Sequence, residues 1–431
     1  METSFNIIDS FKILKGNTKT AVLFEPLWGI PYVLYTFYLS LYMKGQGVTD
    51  PQLGWLISIG FISGSILSLF AGMITDALGR KKTTLIFDLI SWPVALLIYL
   101  VAHNFWVFAL ATVVNSFVRI VSVSWNLMVI EDADSHQQVA AFNWMNIINV
   151  STGVLTPIAG FLVHYLGIVK GEKILLGYAI VSMLIMILAR NHYFKETGVG
   201  QEILQEHQGK KKSASTRKFA DFELYRSTFK VLRSKPKAFF TFIVVVLFNI
   251  YVPIGAFTSL YFAPFLNEVI KLDKSAISIL GFIIGAILMV IFVFIMPVLT
   301  LKNRLVNMAI GFLIQAIALG ILVIIPQGIF GLSICSVIVY AIGYGISKPF
   351  IDTALAEVSE GKERTGIYAL TNTVTTISCI FAGFLSGYLY SLRPALIYFL
   401  SILILILCSS ILWWMNFHRN ILLVITNKEL L

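Results

Sequence analysis

Twelve apolar runs, each long enough to cross a bilayer, decide what this chain can become. A helix needs about 20 mostly apolar residues to span the hydrocarbon core, and irregular backbone cannot face lipid unpaired. The runs cover residues 20–43, 51–75, 83–102, 105–130, 138–166, 174–194, 238–266, 275–300, 305–325, 329–355, 366–391 and 394–417. Only 13% of residues are charged and 58% are hydrophobic, against about 25% charged in a soluble domain. The expected fold is all-α and integral to the membrane, with the lipid bilayer as its solvent.

The cations are distributed unevenly between the polar breaks. With both termini cytoplasmic, that side carries Lys12, Lys15, Lys19, Arg80, Lys81, Lys82, Lys302, Arg304, Lys362, Arg364, Arg419 and Lys428, besides the dense run from Arg190 to Lys237. The opposite face holds only Lys44, Lys170, Lys173, Lys271, Lys274 and Arg393. This is the positive-inside pattern. The net charge of +10 is therefore a topology signal. No basic surface with interleaved aromatics suggests nucleic acid. A plasma membrane is expected, and the external loops lack an Asn-x-Ser/Thr acceptor, which fits a bacterial inner membrane. Cys335, Cys379 and Cys408 all lie inside apolar runs and imply no disulfide framework. No cleavable signal peptide is visible, since the first apolar run is a full span.

The longest polar stretch divides the runs six and six. Residues 1–19 form a cytoplasmic N-terminal segment, either an interfacial helix through Phe5, Ile8, Phe11 and Leu14 or a disordered tail. Residues 20–194 make one six-helix half, 195–237 a basic linker partly helical near FADFELYRSTFKVL, 238–417 the second half, and 418–431 a cytoplasmic tail. The halves repeat. Gly60–Leu67 (GFISGSIL) returns as Gly281–Leu288 (GFIIGAIL), and Ala159–Leu166 (AGFLVHYL) as Ala382–Leu389 (AGFLSGYL). Pro31, Tyr35 and Thr36 return as Pro253, Phe257 and Thr258, and Asn149 and Thr152 as Asn372 and Thr375. The offsets stay between 221 and 223 residues. Four matches in register point to parallel pseudo-symmetric halves.

Between the second and third runs stands GMITDALGRKK, residues 72–82. Its pattern Gly-x-x-x-Asp-x-x-Gly-Arg-Lys resembles the signature loop of the major facilitator superfamily. With the span count, repeat and linker, the resemblance covers the whole chain. It implies twelve helices in two pseudo-symmetric halves working by alternating access. Gly72, Asp76, Gly79, Arg80 and Lys81 would then form a gating latch between the halves, with Glu131 or Asp132 at the end of the fourth span as the partner of Arg80. Gly72 would permit close helix approach, and Gly79 a tight turn. Asp76 would face the helix start near Gly366. The plainer alternative is a topology anchor held by its cations. The second half keeps only TLKNR, with no acid ahead of Asn303 and Arg304.

Ionisable residues within spans are costly and default to functional candidates. Arg119 stands alone in span four, with no acid within a helical turn. It resembles the span-four arginine of some proton antiporters, without the Gln-Gly that follows it there. Lys348 and Asp352 sit four apart in span ten and can neutralise each other. Glu25, Asp88 and Asp352 are the proton-coupling candidates, and the resemblance, which sets helix one facing helix four, pairs Glu25 with Arg119. For Glu25 the alternative is a helix-start acid before Pro26. For Asp88 it is a structural partner of nearby cations. Asn143, Asn146 and Asn149 recur every third residue of span five, and Asn372 is the symmetry mate of the last. Trp28, Tyr32, Tyr35, Trp125, Tyr340 and Tyr344 add flat faces. Amides beside aromatic platforms suit a sugar or glycoside-like solute. Helix contacts and interface anchoring are the alternative. STGVLTPIAGF partly resembles the antiporter motif of drug–proton exchangers, keeping Pro157 and Gly160 but replacing two glycines by Thr156 and Phe161.

The six histidines are scattered, so no metal site is expected, and no cofactor either. The glycine spacing of GMITDALGR is wrong for a phosphate loop. The chain is thus expected to be no enzyme but a monomeric secondary transporter of a small organic solute, coupled to protons. A drug or lipid exporter exchanging against protons is the second expectation. A non-transporting receptor is a third, disfavoured by the short tail after Arg419.

Overall fold

The computed structural model describes residues 7–209, 228–230, 232–296, 299, 304–358 and 363–429. Phe5, the lysine run of the linker, FADFELYR, Lys302, Asn303 and Lys362 lie outside the described residues.

All regular structure among the described residues is helical. In the first half, α1 (Ile7–Lys12), α2 (Gly16–Phe24) and α3 (Pro26–Gly45) precede α4 (Asp50–Leu78) and α5 (Arg80–Val101). They are followed by α6 (Phe105–Ile130), α7 (Ser135–Leu166), α8 (Ile168–Tyr193) and the linker helix α9 (Gly198–Gly209). The second half has α10 (Pro236–Gly255), α11 (Lys274–Ile295), α12 (Arg304–Ile324), α13 (Phe330–Val358), α14 (Glu363–Leu392) and α15 (Ala395–Glu429). Eleven of these are long and apolar enough to cross a membrane. The first expected span, α3, is 20 residues long, but Trp28, Tyr32, Tyr35, Tyr38 and Tyr42 dilute its apolar character.

Several expected spans are interrupted, each by an identifiable residue. In α7 the backbone tightens into a single 3₁₀ turn at Gly153–Leu155. Pro157 has no N–H for the Gly153 carbonyl, and the Thr156 hydroxyl donates to it instead at 3.1 Å. The run 238–266 does not stay helical. Pro253 sits in the last turn of α10, the helix stops at Gly255, and Ala256 is extended at φ −66°, ψ 155°. A short helical segment from Phe262 to Val269 follows. In α5 a wide π-type turn spans Ile90–Val94 around Pro93. Caps are supplied by short polar side chains. Asn104 accepts from the Val107 N–H at 3.1 Å, and Asp134 from the Gln137 N–H at 2.9 Å. The bonds from Gln137 hold the Asp134 carboxyl below the usual carboxylate range.

The chain forms two compact units, residues 1–52 with 59–215, and residues 53–58 with 216–431. Within the first unit α8 packs along α3, and α5 against α6. A tight apolar cluster joins Leu14, Ala21, Val22, Met128, Val129, Ala140, Met145 and Phe194, with Phe11 and Trp144 against it. The N-terminal segment therefore seats Phe11 and Leu14 on protein, where an interfacial helix or free tail was expected. Burying them against α6 and α7 removes them from water as fully as lipid would.

In the second unit α12 crosses α13 at a point where neither helix tolerates a side chain. A Cβ on Gly311 would lie 2.8 Å from the Gly343 carbonyl oxygen, and one on Gly343 would lie 2.7 Å from the Gly311 oxygen. Small residues bring these backbones together, as is common between membrane helices. Gly343→Leu should therefore lower the thermal midpoint of the purified protein. Gly320→Leu, where a Cβ would meet nothing within 4 Å, should leave it unchanged.

Candidate functional site

The loop between α4 and α5 is built around one glycine and one guanidinium. Gly79 ends α4 at φ +85°, a conformation that L side chains rarely adopt. A Cβ there would also lie 2.7 Å from Glu196 Oε2 and 2.9 Å from Leu204 Cδ1. The bend lets the start of α5 expose two backbone N–H groups to a carboxylate. Arg80 N–H donates to Glu196 Oε1 at 2.9 Å and Lys81 N–H to Oε2 at 3.0 Å. The Arg80 side chain is 4% exposed and donates through Nε and Nη2 to Glu131, the latter at 3.1 Å, and through Nη1 to Asp76 at 3.1 Å. The Thr197 hydroxyl completes the set, donating to Glu131 Oε2 at 2.5 Å. Asp132, the other acid considered for Arg80, instead accepts from the Gly198 N–H at 3.0 Å. Lys81 is half-buried. Gly72 is exposed, and a Cβ on it would meet nothing within 4 Å.

Deeper in the first unit lies a second charge cluster. Asp88 on α5 is 2% exposed and forms an ion pair with Arg190 of α8, itself 6% exposed. The Trp92 side chain also hydrogen-bonds Asp88, and the Arg190 guanidinium lies 5.4 Å from the Phe194 ring centroid. Glu25, 7% exposed at the junction of α2 and α3, adds a second carboxylate. Its side chain caps no helix; Asn149 hydrogen-bonds it, and Arg190 and Asp88 are its charged neighbours. The cation beside Glu25 is thus Arg190, where Arg119 was expected. Arg119 is exposed and lies over Gly64, its Nε 3.3 Å from where a Cβ would stand. Two carboxylates face one guanidinium, which leaves the cluster one positive charge short.

An aromatic group is tied to this cluster. Trp28 stacks on Tyr32 with centroids 4.7 Å apart, and Trp92 meets both edge-on at 5.4 and 5.9 Å. Tyr35 meets Tyr32 edge-on at 5.8 Å. Tyr32 is 38% exposed and presents its ring, while Tyr35 and Trp92 are buried. The wide turn at Pro93 sets the direction of Trp92, which no spacing rule in the sequence indicates. Asn143, Asn146 and Asn149 all lie exposed along α7. Beside Asn149, a Cβ on Gly29 would come 3.3 Å from its Oδ1. Trp125 belongs elsewhere, packed on the apolar cluster of Leu14 and Met128 with its indole N–H buried. In the second unit Tyr344 stacks on Tyr340 at 5.7 Å, and Asn372 is exposed. Lys348 Nζ lies 2.5 Å from Asp352 Oδ1, an exposed pair four residues apart on α13.

The sequence profile of the Major Facilitator Superfamily matches residues 29–383. The chain belongs to that family. Solved transporters share the fold at low identity. The nucleoside transporter NupG superposes with a TM-score of 0.66 at 14% identity, covering 93% of this chain and 99% of its own. A D-xylose-proton symporter gives 0.67 at 15% identity, covering 95% and 98%. Among curated proteins, the quinolone resistance protein NorA of Staphylococcus aureus is 32% identical over 126 residues. That match spans 29% of this chain and 32% of the relative. The protein is therefore a membrane transporter rather than an enzyme.

Sequence reasoning missed Arg190, Glu196 and Thr197. Arg190 stood at the head of a basic run and looked like an anchor. Yet a buried acid such as Asp88 demands a cation, and the run ending span six offered one. Glu196 binds backbone groups 116 residues earlier in the chain, a contact with no local signature. Gly79→Ala should cost about 1–3 kcal/mol in backbone strain alone, read as a lower thermal midpoint. Gly72→Ala should be neutral or slightly stabilising. Arg190→Met should cost about 3–5 kcal/mol by leaving Asp88 unpaired, and adding Asp88→Asn should recover part of the loss.

Proposed function

We propose that this transporter moves a small polar organic solute of sugar or glycoside type, coupled to protons, from a plasma membrane position with both termini cytoplasmic. The observation that carries this is the connection of the aromatic group to the buried charges: Trp92 touches Trp28 and Tyr32 and also hydrogen-bonds Asp88. Flat rings on α3, where Asn149 approaches Gly29, together with the exposed amides of Asn143 and Asn146 on α7 suit a solute with one apolar face and a hydroxylated edge. Arg119, exposed within its span, and the symmetry mate Asn372 with Tyr344 and Lys348 complete the solute-facing set. A bacterial inner membrane and a monomer go with this function. The similarity of fold to a xylose-proton symporter supports it.

Glu25 is the proton carrier in this proposal. Of the three candidate acids, Asp88 has the guanidinium of Arg190 and Asp352 has Lys348, so Glu25 is the one without a full counter-charge. A proton on Glu25 balances the cluster; its loss leaves a net negative charge beside Trp92 and Asn149. The network of Asp76, Arg80, Glu131 and Glu196 acts as a latch that must loosen once per cycle. A second proposal, export of flat drug-like molecules against protons, is favoured by the NorA match and by the ring stack itself.

Proteoliposomes decide between these. A labelled panel of sugars, glycosides and planar cationic drugs is offered with and without an imposed pH gradient. Accumulation of a sugar or glycoside driven by inward proton flow supports the first proposal. Movement of the drugs alone supports the second, and failure of every panel member to move contradicts both. For the carrier, Glu25→Gln should abolish gradient-driven accumulation while solute exchange across the membrane persists. Full accumulation by this variant would remove Glu25 from the role.

A further inference from the structure

A second buried acid stands apart from that cluster. Glu172 lies in the second turn of α8, is 0% exposed, and has both carboxylate oxygens buried without a hydrogen-bond partner. In the sequence it stands between Lys170 and Lys173 and looks like part of an external loop. The helix, however, begins at Ile168, and that changes which way each residue points. Lys170 and Lys173 are exposed, whereas Gly171, Glu172, Leu175, Leu176 and Ala179 face inward. A Cβ on Gly171 would lie 2.9 Å from Val163 Cα, so α8 is pressed against α7 at this turn.

Among the described residues, no cation answers the carboxylate. The elements packed on this end of α8 bring mainly tyrosines: Tyr35, Tyr38 and Tyr42 of α3, which are 3%, 0% and 0% exposed, and Tyr99 of α5. Their spacing of three, four and seven residues puts the three tyrosines of α3 on one face. Glu172 is an electrostatic neighbour of Tyr35 and Tyr42. The Tyr42 hydroxyl already donates to the Tyr99 carbonyl at 3.0 Å, and the Tyr99 hydroxyl lies 3.1 Å from Thr112 Oγ1. Lys44, the cation of α3, is engaged by Asp50 at 2.5 Å. His164 of α7 is exposed. A bare carboxylate with no donor and no counter-ion is among the costliest groups that a membrane interior can hold. The same group carrying a proton is a small neutral acid.

We propose that Glu172 is a proton-binding site, occupied while the tyrosine face of α3 is packed against it and emptied when that face shifts. On release the O–H bond of the acid breaks and the proton passes to water on the outer side. The carboxylate left behind then takes a hydrogen bond from the Tyr35 hydroxyl. Tyr35 touches Tyr32, the exposed ring of the aromatic group. Proton loss at Glu172 therefore pulls on the surface assigned to the solute. This link rests on the proton-coupled transport proposed above; the occupancy of Glu172 by a proton does not.

Infrared spectroscopy of the protein in lipid at neutral pH tests the occupancy directly. The carbonyl stretch of neutral carboxylic acids should contain a component that disappears in Glu172→Gln and persists in Glu25→Gln. An unchanged band in Glu172→Gln would overturn the proposal, whatever the solute proves to be. Should the glutamine variant not accumulate as folded protein, Glu172→Leu reads the same band, because an apolar pocket accepts leucine. The link to the solute is read separately, as binding of the transported panel member over a range of external pH. Affinity should vary less steeply with pH in Glu172→Gln than in the wild type, where Glu172 adds to the contribution of Glu25. Equal pH dependence in the two would overturn the link while leaving the proton site standing.

Discussion

Lipid offers a backbone amide no hydrogen-bond partner, and everything else in this protein follows from that constraint. It forces the described chain into helices and makes any departure from helix meaningful. Where Pro157 and Pro253 interrupt the ladder, the Thr156 hydroxyl and the Cys379 thiol donate to the freed carbonyls of Gly153 and Asn249. Where Pro93 widens α5, the displaced turn carries Trp92 into contact with both the aromatic group and Asp88. The same medium penalises every uncompensated charge. The ionisable side chains buried among the described residues are therefore few: Asp88 is paired with Arg190, whereas Glu172 has no partner, and both arrangements are informative.

Two arrangements of charge in the first unit illustrate different uses of this penalty. At the α4–α5 loop, acids outnumber cations, but water and backbone share the load. Glu196 spends its carboxylate on the N–H groups of Arg80 and Lys81, while the Arg80 side chain is left to Glu131 and Asp76. Around Arg190 the balance is tighter. Asp88 and Glu25 are both buried and share one guanidinium, so the arrangement is neutral only with a proton added.

How much of this the sequence disclosed depends on the range of each signal. Apolar runs are summed over many residues, and membrane spans and the all-helical class emerge from them, while the family comes through the resemblance carried by GMITDALGRKK. The partnership of Arg80 with an acid ending span four is also readable, because a resemblance supplied both positions. Helix breaks were readable only in part: Pro253 and Gly255 sit inside a run apolar enough to hide the end of α10 at Gly255. Orientation about a helix axis was the main loss. Trp125 and Trp28 look alike in sequence, yet one packs on the Leu14 cluster and the other on Tyr32. Glu172, flanked by lysines, shares the composition of a loop, and only the start of α8 at Ile168 turns it inward. Arg190 and Glu196 act across more than a hundred residues of chain, beyond any local pattern.

The central claim is that solute movement and proton movement are one process, joined through the contact of Trp92 with Asp88. Its most direct test is proton flux measured with no pH gradient imposed. Sealed proteoliposomes with a pH-sensitive dye inside are given a solute gradient alone. Solute running down its own gradient should change the internal pH, with an initial rate proportional to solute flux. Solute movement with no change in internal pH, in vesicles shown to hold a pH difference, would contradict the account.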